Sequence, residues 1–222
     1  MPINIKLQDF TATIHQSSRY NNDSFDLVHV ESLIVTDEPI PNDTIWYIPN
    51  SKIIDPVFQK ILQAANINPQ PTEESLIKSR IDSFGDAVNE ALSGDSEETK
   101  KDITTLALLS VLSKTTLKLV EKTSNTYLLS YDYKLFPISN NTYELKVQLP
   151  FPGFIMPDNG DKIQITVVTP MDATIDKNNT NGIDENGNSI TPQYANFPNS
   201  RKEAISFDYS TDPTFTIRYS YQ

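Results

Sequence analysis

The chain has no cysteine. A disulfide framework, a thiolate metal site and a cysteine nucleophile are excluded together. Histidine is nearly as scarce. His15 and His29 are the only two, and neither has a local ligand partner, whereas zinc ordinarily draws on more. His29 shares a strand face with Phe25 and Leu27 and reads as a half-buried, hydrogen-bonded side chain. Basic residues are outnumbered: 18 Lys and Arg stand against 29 Asp and Glu, for a formal net charge of -11. No stretch gathers enough Lys and Arg to neutralise a run of phosphates, which argues against nucleic acid as a partner. The same sign opposes adsorption to anionic lipid.

Long apolar runs are missing too. The densest, Leu106 to Leu112, falls far short of the roughly 20 residues that a membrane-spanning helix needs. The first residues, M-P-I-N-I-K-L-Q-D-F, lack the basic-then-apolar succession of a signal peptide. No export signal is expected there; the compartment stays unknown from the sequence, with a virion or cytoplasmic assembly as one setting that fits. No G-x-S-x-G, H-E-x-x-H or P-loop spacing occurs. Acids are plentiful, yet no two stand out as a pair for glycoside hydrolysis. The expectation is a protein that is not an enzyme.

What is present is strand pattern. Tyr143, Leu145, Val147 and Leu149 alternate with Glu144, Lys146 and Gln148, the cleanest two-faced strand in the chain. Ile163, Ile165 and Val167 alternate in the same way beyond a Pro- and Gly-marked bend. Earlier, Tyr127, Leu129, Tyr131, Tyr133 and Leu135 line one face of a strand expected to form a hairpin with Tyr143–Leu149. Residues 3–14 and 25–35 read as two more strands, and Thr44 to Ile48 as a short one holding the only tryptophan, Trp46, expected in the core. Ala204–Tyr209 and Thr214–Tyr221 read as a closing strand pair.

Between these parts the period changes. Asp55-Pro56 is a helix start, with an acid at the cap and proline at the first helical position. Val57, Phe58, Ile61 and Leu62 follow at helical spacing. Ile77, Ile81, Phe84, Val88 and Leu92 form a second stripe. A third helix runs from about Ser96 to Leu112, with Leu106–Leu112 apolar nearly all round and so expected to be its most buried piece. The fold class expected is mainly β with a helical insertion (α+β): an antiparallel β-sandwich or strongly curved sheet with a two- to three-helix block. Residues 1–54 form an N-terminal β part, 55–120 a helical segment, and 121–222 a C-terminal antiparallel β part that makes one domain with 1–54.

Two candidate sites emerge. Asp176, Asn178, Thr180 and Asp184 place oxygen-bearing side chains along one polar stretch, which is the ligand chemistry of calcium. The match fails in detail, since Asn181 stands where a calcium loop has glycine and Gly187 where it has glutamate. A plain surface loop is the simpler reading. The second candidate is an interface. Phe151, Phe154, Ile155 and Met156 crowd a bend, and apolar side chains there either cap the core or face a partner. Tyr219 and Tyr221 share one strand face and are read as an edge that a neighbour could extend. The functional expectation is a structural or scaffold subunit acting by protein–protein contact in a homo- or hetero-oligomer, such as a virion, tail- or surface-type complex. The alternative is a monomeric ligand- or partner-binding β-domain, for which an extracellular setting stays open.

Overall fold

A computed structural model describes residues 3–20, 24–51, 56–65, 68–82, 96–120, 125–156, 162–209 and 213–221. The first part of the chain holds β1 (Ile3–His15), α1 (Ser17–Tyr20), β2 (Asp26–Thr36) and β3 (Trp46–Pro49). Next come α2 (Pro56–Ala64), β4 (Thr72–Glu73), α3 (Glu74–Asp82), α4 (Ser96–Ser110), β5 (Leu112–Thr115) and β6 (Lys118–Leu119). Then follow β7 (Thr126–Leu135), β8 (Pro137–Ser139), β9 (Thr142–Gln148), β10 (Phe154–Ile155) and β11 (Lys162–Val168). The chain closes with β12 (Ala173–Ile175), β13 (Asn181–Ile183), β14 (Ser189–Ile190), β15 (Gln193–Phe197), β16 (Lys202–Tyr209) and β17 (Thr214–Tyr221).

The architecture is mixed α and β, mostly strand, in three separate sheets, none of them closed into a barrel or a strongly curved sandwich among the described residues. The first sheet runs β15-β16-β11-β1-β2-β7-β6, with β10 beside β1. The second runs β14-β13-β17-β9-β8, with β12 on β17, and the third is β4-β3-β5. Among the described residues no helix is long and apolar enough to cross a membrane.

Period-two alternation decides which side chains go inside. Phe10, Ala12 and Ile14 of β1 alternate inward, as do Val28 and Val30 of β2, while Leu145 and Val147 of β9 and Phe215 and Ile217 of β17 do so from the second sheet. All belong to one hydrophobic cluster. Phe207 of the first sheet meets Phe215 of the second with ring centroids 4.8 Å apart. The helices make a smaller cluster of their own, in which Leu62 of α2 packs with Ala107 of α4 and with Val111 just past its end.

Several pairings depart from the sequence reading. β7 does not form a hairpin with β9. It lies between β2 and β6 in the first sheet, and β9 pairs with β17 and the short β8 in the second. Pro137 and the residues after it carry the chain from one sheet to the other. The bend after β9 likewise crosses between sheets, since β11 joins the first. β16 and β17 also separate into different sheets. Nor is the first sheet wholly antiparallel, because β1 runs parallel to β10 and to β11. Alternation shows which residues share a face, and a strand with one buried face satisfies that rule in either sheet.

Two burial expectations are corrected as well. Leu106 is 48% exposed, and Ala107, Val111 and Leu112 are the buried members of that segment. The helix ends at Ser110 and the chain turns into β5, so only one stripe of α4 meets α2. Glu144, which alternation sets on the polar face of its strand opposite the core and so by expectation in solvent, is buried. Its register partner on β17 is Arg218, whose Nε donates to the Glu144 carboxylate at 2.9 Å. Lys146 Nζ approaches it at 3.2 Å. A buried carboxylate is tolerable when paired and hydrogen-bonded in this way. The stripe at Phe84, Val88 and Leu92 and the helix cap at Asp55 lie outside the described residues.

A buried carboxylate is among the polar contacts that tie the two large sheets together. Asp26, at the start of β2, is fully buried. Its Oδ2 accepts the Tyr219 hydroxyl at 2.8 Å and the Tyr221 hydroxyl at 2.7 Å. Its Oδ1 accepts the Ser18 hydroxyl at 2.6 Å and the Ser18 N–H at 3.3 Å. Tyr143 stacks on Tyr219 with centroids 5.2 Å apart. Asp26→Ala deletes the common acceptor and strands buried hydroxyls. It is expected to remove about 3 kcal/mol of stability in urea unfolding, while Asp26→Asn, which keeps one oxygen, loses less.

Alkali should open the same region. Burial raises the pKa of Tyr131, Tyr133, Tyr219 and Tyr221, and for the last two the Asp26 carboxylate raises it further. Unfolded tyrosine titrates at about 10. The stability these hydroxyls supply is therefore complete below that pH and is lost as pH rises toward the folded values. Tyrosinate absorbance above pH ~10 is expected to appear in step with loss of tertiary structure, not ahead of it.

Candidate functional site

The bend between β9 and β10 builds an apolar concavity that opens to solvent. Gly153 sits at its apex with φ of +110°, a conformation that L side chains rarely adopt. The Phe154 N–H closes the turn on the Phe151 carbonyl at 3.0 Å, and the Ile3 N–H donates to the Gly153 carbonyl at 3.1 Å. Phe151 is thereby driven inward, edge-on to Phe10 with centroids 6.1 Å apart. Its N–H is held by the buried side chain of Gln8 at 3.2 Å. Phe154 stacks on Trp46 of β3 at 4.5 Å. Alternation then turns Ile155 outward, 41% exposed.

The groove beside Ile155 has a volume of about 560 Å³. Ile3, Pro41, Leu76, Phe154 and Ile155 make its walls, with Glu73 and Ser75 at one side. The Glu73 carboxylate accepts the Ser75 N–H at 3.1 Å and also the Ser75 hydroxyl. Glu73 thus caps the start of α3 and is already engaged there. The indole N–H of Trp46, behind Phe154, is buried with no acceptor among the described residues.

Of the residues singled out as an interface, Phe151, Phe154, Tyr219 and Tyr221 are buried in the main core. Met156 is half-buried against it, and Ile155 alone is exposed. β17 is hydrogen-bonded on both sides, by β9 on one and by β12 and β13 on the other. It offers no free edge, so Tyr219 and Tyr221 are corrected from edge residues to members of the Asp26 contact. The turn at 157–161 lies outside the described residues.

The calcium candidates divide between two turns. Asp176 accepts the N–H groups of Asn178 and Asn179 and the Asn179 amide at 2.7 Å. Asp184 accepts the N–H groups of Asn186 and Asn188, the Asn188 amide at 2.9 Å and the Tyr209 hydroxyl at 2.9 Å. These amide bonds come first among the causes that hold both carboxyls below the usual carboxylate range. The Thr180 hydroxyl bonds to the Arg218 backbone, and Asn178 is exposed. Each carboxylate closes its own turn. Among the described residues no group of three or more His, Asp or Glu side chains is placed to hold a metal ion.

Two other polar groupings were not legible in the sequence. Arg201 and Arg19 flank Asp172 at 3.2 and 3.9 Å beside a pocket of about 390 Å³. Residues far apart in the chain meet there, and no local pattern announces it. On the outer face of the first sheet, His29 Nδ1 lies 2.8 Å from Asp132 across the β2–β7 register. Its other ring nitrogen points to Glu31 at 3.9 Å. The histidine therefore sits between two carboxylates on an open face. No local pattern in the sequence places Glu73 or Leu76 beside Phe154 and Ile155 in the groove.

Compared with protein-family models, with curated proteins and with solved structures, the chain matches none.

The groove depends on the glycine. A Cβ at position 153 would lie 2.7 Å from the Glu73 Cβ and 3.2 Å from the Trp46 ring. Gly153→Ala is expected to lower stability by about 2 kcal/mol or more through backbone strain and this clash. Urea unfolding monitored by Trp46 fluorescence checks it.

Proposed function

We propose that the protein is a structural or scaffold subunit that works by protein–protein contact, with the groove beside Ile155 as a docking surface. The observation that carries this reading is the groove's composition. Apolar walls stay open to solvent beside exposed Ile155 and Leu76, and exposed apolar surface of this kind marks contact sites. Among its described lining residues the one carboxylate, Glu73, is engaged in capping a helix. The partner surface this chemistry fits is an apolar side chain or two framed by uncharged polar groups.

The same proposal extends to the scaffold. The two large sheets act as layers of a sandwich, with 1–54 and 121–222 in one domain and 55–120 inserted into it. Support comes from the single cluster that draws on both sheets. Separate support comes from the distinct cluster between α2 and α4. An assembly such as a virion, tail- or surface-type complex is the setting we infer.

The second reading, a monomeric domain that binds a small ligand, also rests on the groove, since its volume lies within the range of small-molecule sites. Light scattering coupled to size exclusion, on protein taken from its source, separates the two. The contact reading expects a defined species larger than the 25.0 kDa chain. A folded Leu76→Asp/Ile155→Asp variant should leave that species. A monomer at every concentration, unaltered by the two charges, would sink the contact reading in favour of the ligand.

A further inference from the structure

The first sheet ends in β15, a strand of 5 residues all of which are exposed. Its inner side is paired to β16, with Gln193 opposite Ser206, Ala195 opposite Ala204 and Phe197 opposite Lys202. The direction of its peptide groups follows from β16. The Glu203 carbonyl accepts the Thr169 N–H at 2.9 Å, and the Glu203 N–H donates to the Thr169 hydroxyl at 3.0 Å. Glu203 thus points its peptide groups toward the β11 side. Along an antiparallel ladder this direction alternates, so Lys202, Ala204 and Ser206 bond to β15 through Phe197, Ala195 and Gln193. Tyr194 and Asn196 are left with their N–H and C=O groups directed at the open edge.

We propose that this edge pairs with the same edge of a second copy, antiparallel about a two-fold axis at Ala195. In that register Tyr194 faces Asn196 of the second copy, and each outward N–H meets an outward C=O. A slip by one residue would set those groups against peptide groups already bonded to β16. Ala195 faces its own counterpart, and a methyl is small enough for the close approach of a non-hydrogen-bonded pair.

Charge supports a second copy as the occupant. A chain of net charge -11 repels itself. Residues Asn186 through Ser200 carry no charged side chain, the longest such run in the chain. The edge is therefore where two copies approach with least repulsion, and it has no charge that would select a basic partner. Sheet edges are commonly blocked by an inward charge or lysine; β15 itself has neither, and the nearby Lys177 ammonium lies over the Tyr194 ring, 4.8 Å from its centroid. Pro192 and Pro198 bound the strand, and neither can donate a ladder hydrogen bond. Pairing ends there, which gives a closed pair and not a filament. The other path ends of the two larger sheets, β6, β8 and β14, have 2 or 3 residues each. The proposal names one partner for the contact reading and rests on that reading.

Sedimentation velocity of the full chain over a concentration series tests it. The wild type is expected to move from 25.0 kDa toward twice that mass. Asn196→Pro removes an outward N–H and leaves the ladder to β16 intact. It should weaken self-association about tenfold or more, in keeping with proline's tolerance at edge positions that face solvent. Ala195→Cys gives an independent readout, because the chain is otherwise free of cysteine. Opposite its own copy, that thiol has the geometry for a disulfide. Under mild oxidant it should form a covalent dimer far faster than Ser130→Cys, which is exposed on β7. A wild type that stays monomeric throughout overturns the proposal. So does a dimer that Asn196→Pro leaves unchanged and that Ala195→Cys does not trap. The latter result leaves the contact reading standing on another surface, whereas sensitivity to the groove charges alone locates that surface.

Discussion

A buried carboxylate can persist in a protein interior only if its hydrogen-bonding capacity is met. Asp26 satisfies this condition with donors from both ends of the chain. Ser18 comes from the helix just before β2, and Tyr219 and Tyr221 from the last strand. Because β2 lies in one large sheet and β17 in the other, these bonds fix the relative position of the sheets at one end of the core. Apolar packing is tolerant of small sliding, whereas a carboxylate with directional donors is not. The adjacent stack of Tyr143 on Tyr219 extends the same junction into β9.

With the sheets held at that end, the chain's crossings between them take on their importance. One follows β7 at Pro137, and another is the bend from β9 through Gly153 to β10 and β11. The second crossing is where the interior is least uniform. Phe151 and Phe154 fold inward on Phe10 and Trp46, and Ile155 is left outside by alternation. The third sheet, β4-β3-β5, packs against this bend through Trp46 and through the Glu73 N–H bond to the Pro152 carbonyl. The groove is a by-product of three elements meeting at a glycine that no other residue could replace without moving Glu73 or Trp46.

Charge distribution gives the surface a second kind of order. Acidic excess keeps copies of the chain apart in general, and local ion pairs neutralise several of its carboxylates. Glu144 is met by Arg218 and Lys146, and Asp172 by Arg19 and Arg201. Two stretches of that surface carry no charged side chain of their own, the open edge of β15 and the apolar walls of the groove at Ile155. They lie on different elements, so contact at one does not require contact at the other.

The sequence by itself determined which residues share a strand face. The alternations at Tyr127–Leu135, Tyr143–Leu149 and Ile163–Val167 each appear as a buried face, because a pleated strand puts every second side chain on one side whatever its neighbours. It also determined the helical character of the stretch before β5 and the burial of Trp46. Only the tertiary structure decided which strands pair. β7 and β9, β9 and β11, and β16 and β17 follow closely in sequence, with at most a strand of 2 or 3 residues between them, yet lie in different sheets, since either sheet offers an apolar side to cover. The burial of Glu144 and Asp26 was hidden for the same reason. A carboxylate on an alternating strand is legible as polar, but the partner that allows its burial comes from 74 residues away for Glu144 and from 193 and 195 for Asp26. The crowded bend could be read as apolar, but whether its side chains faced in or out depended on the space left by Gly153, Trp46 and Phe10. That space exists only after long-range strand pairing has formed, so no local pattern could specify it.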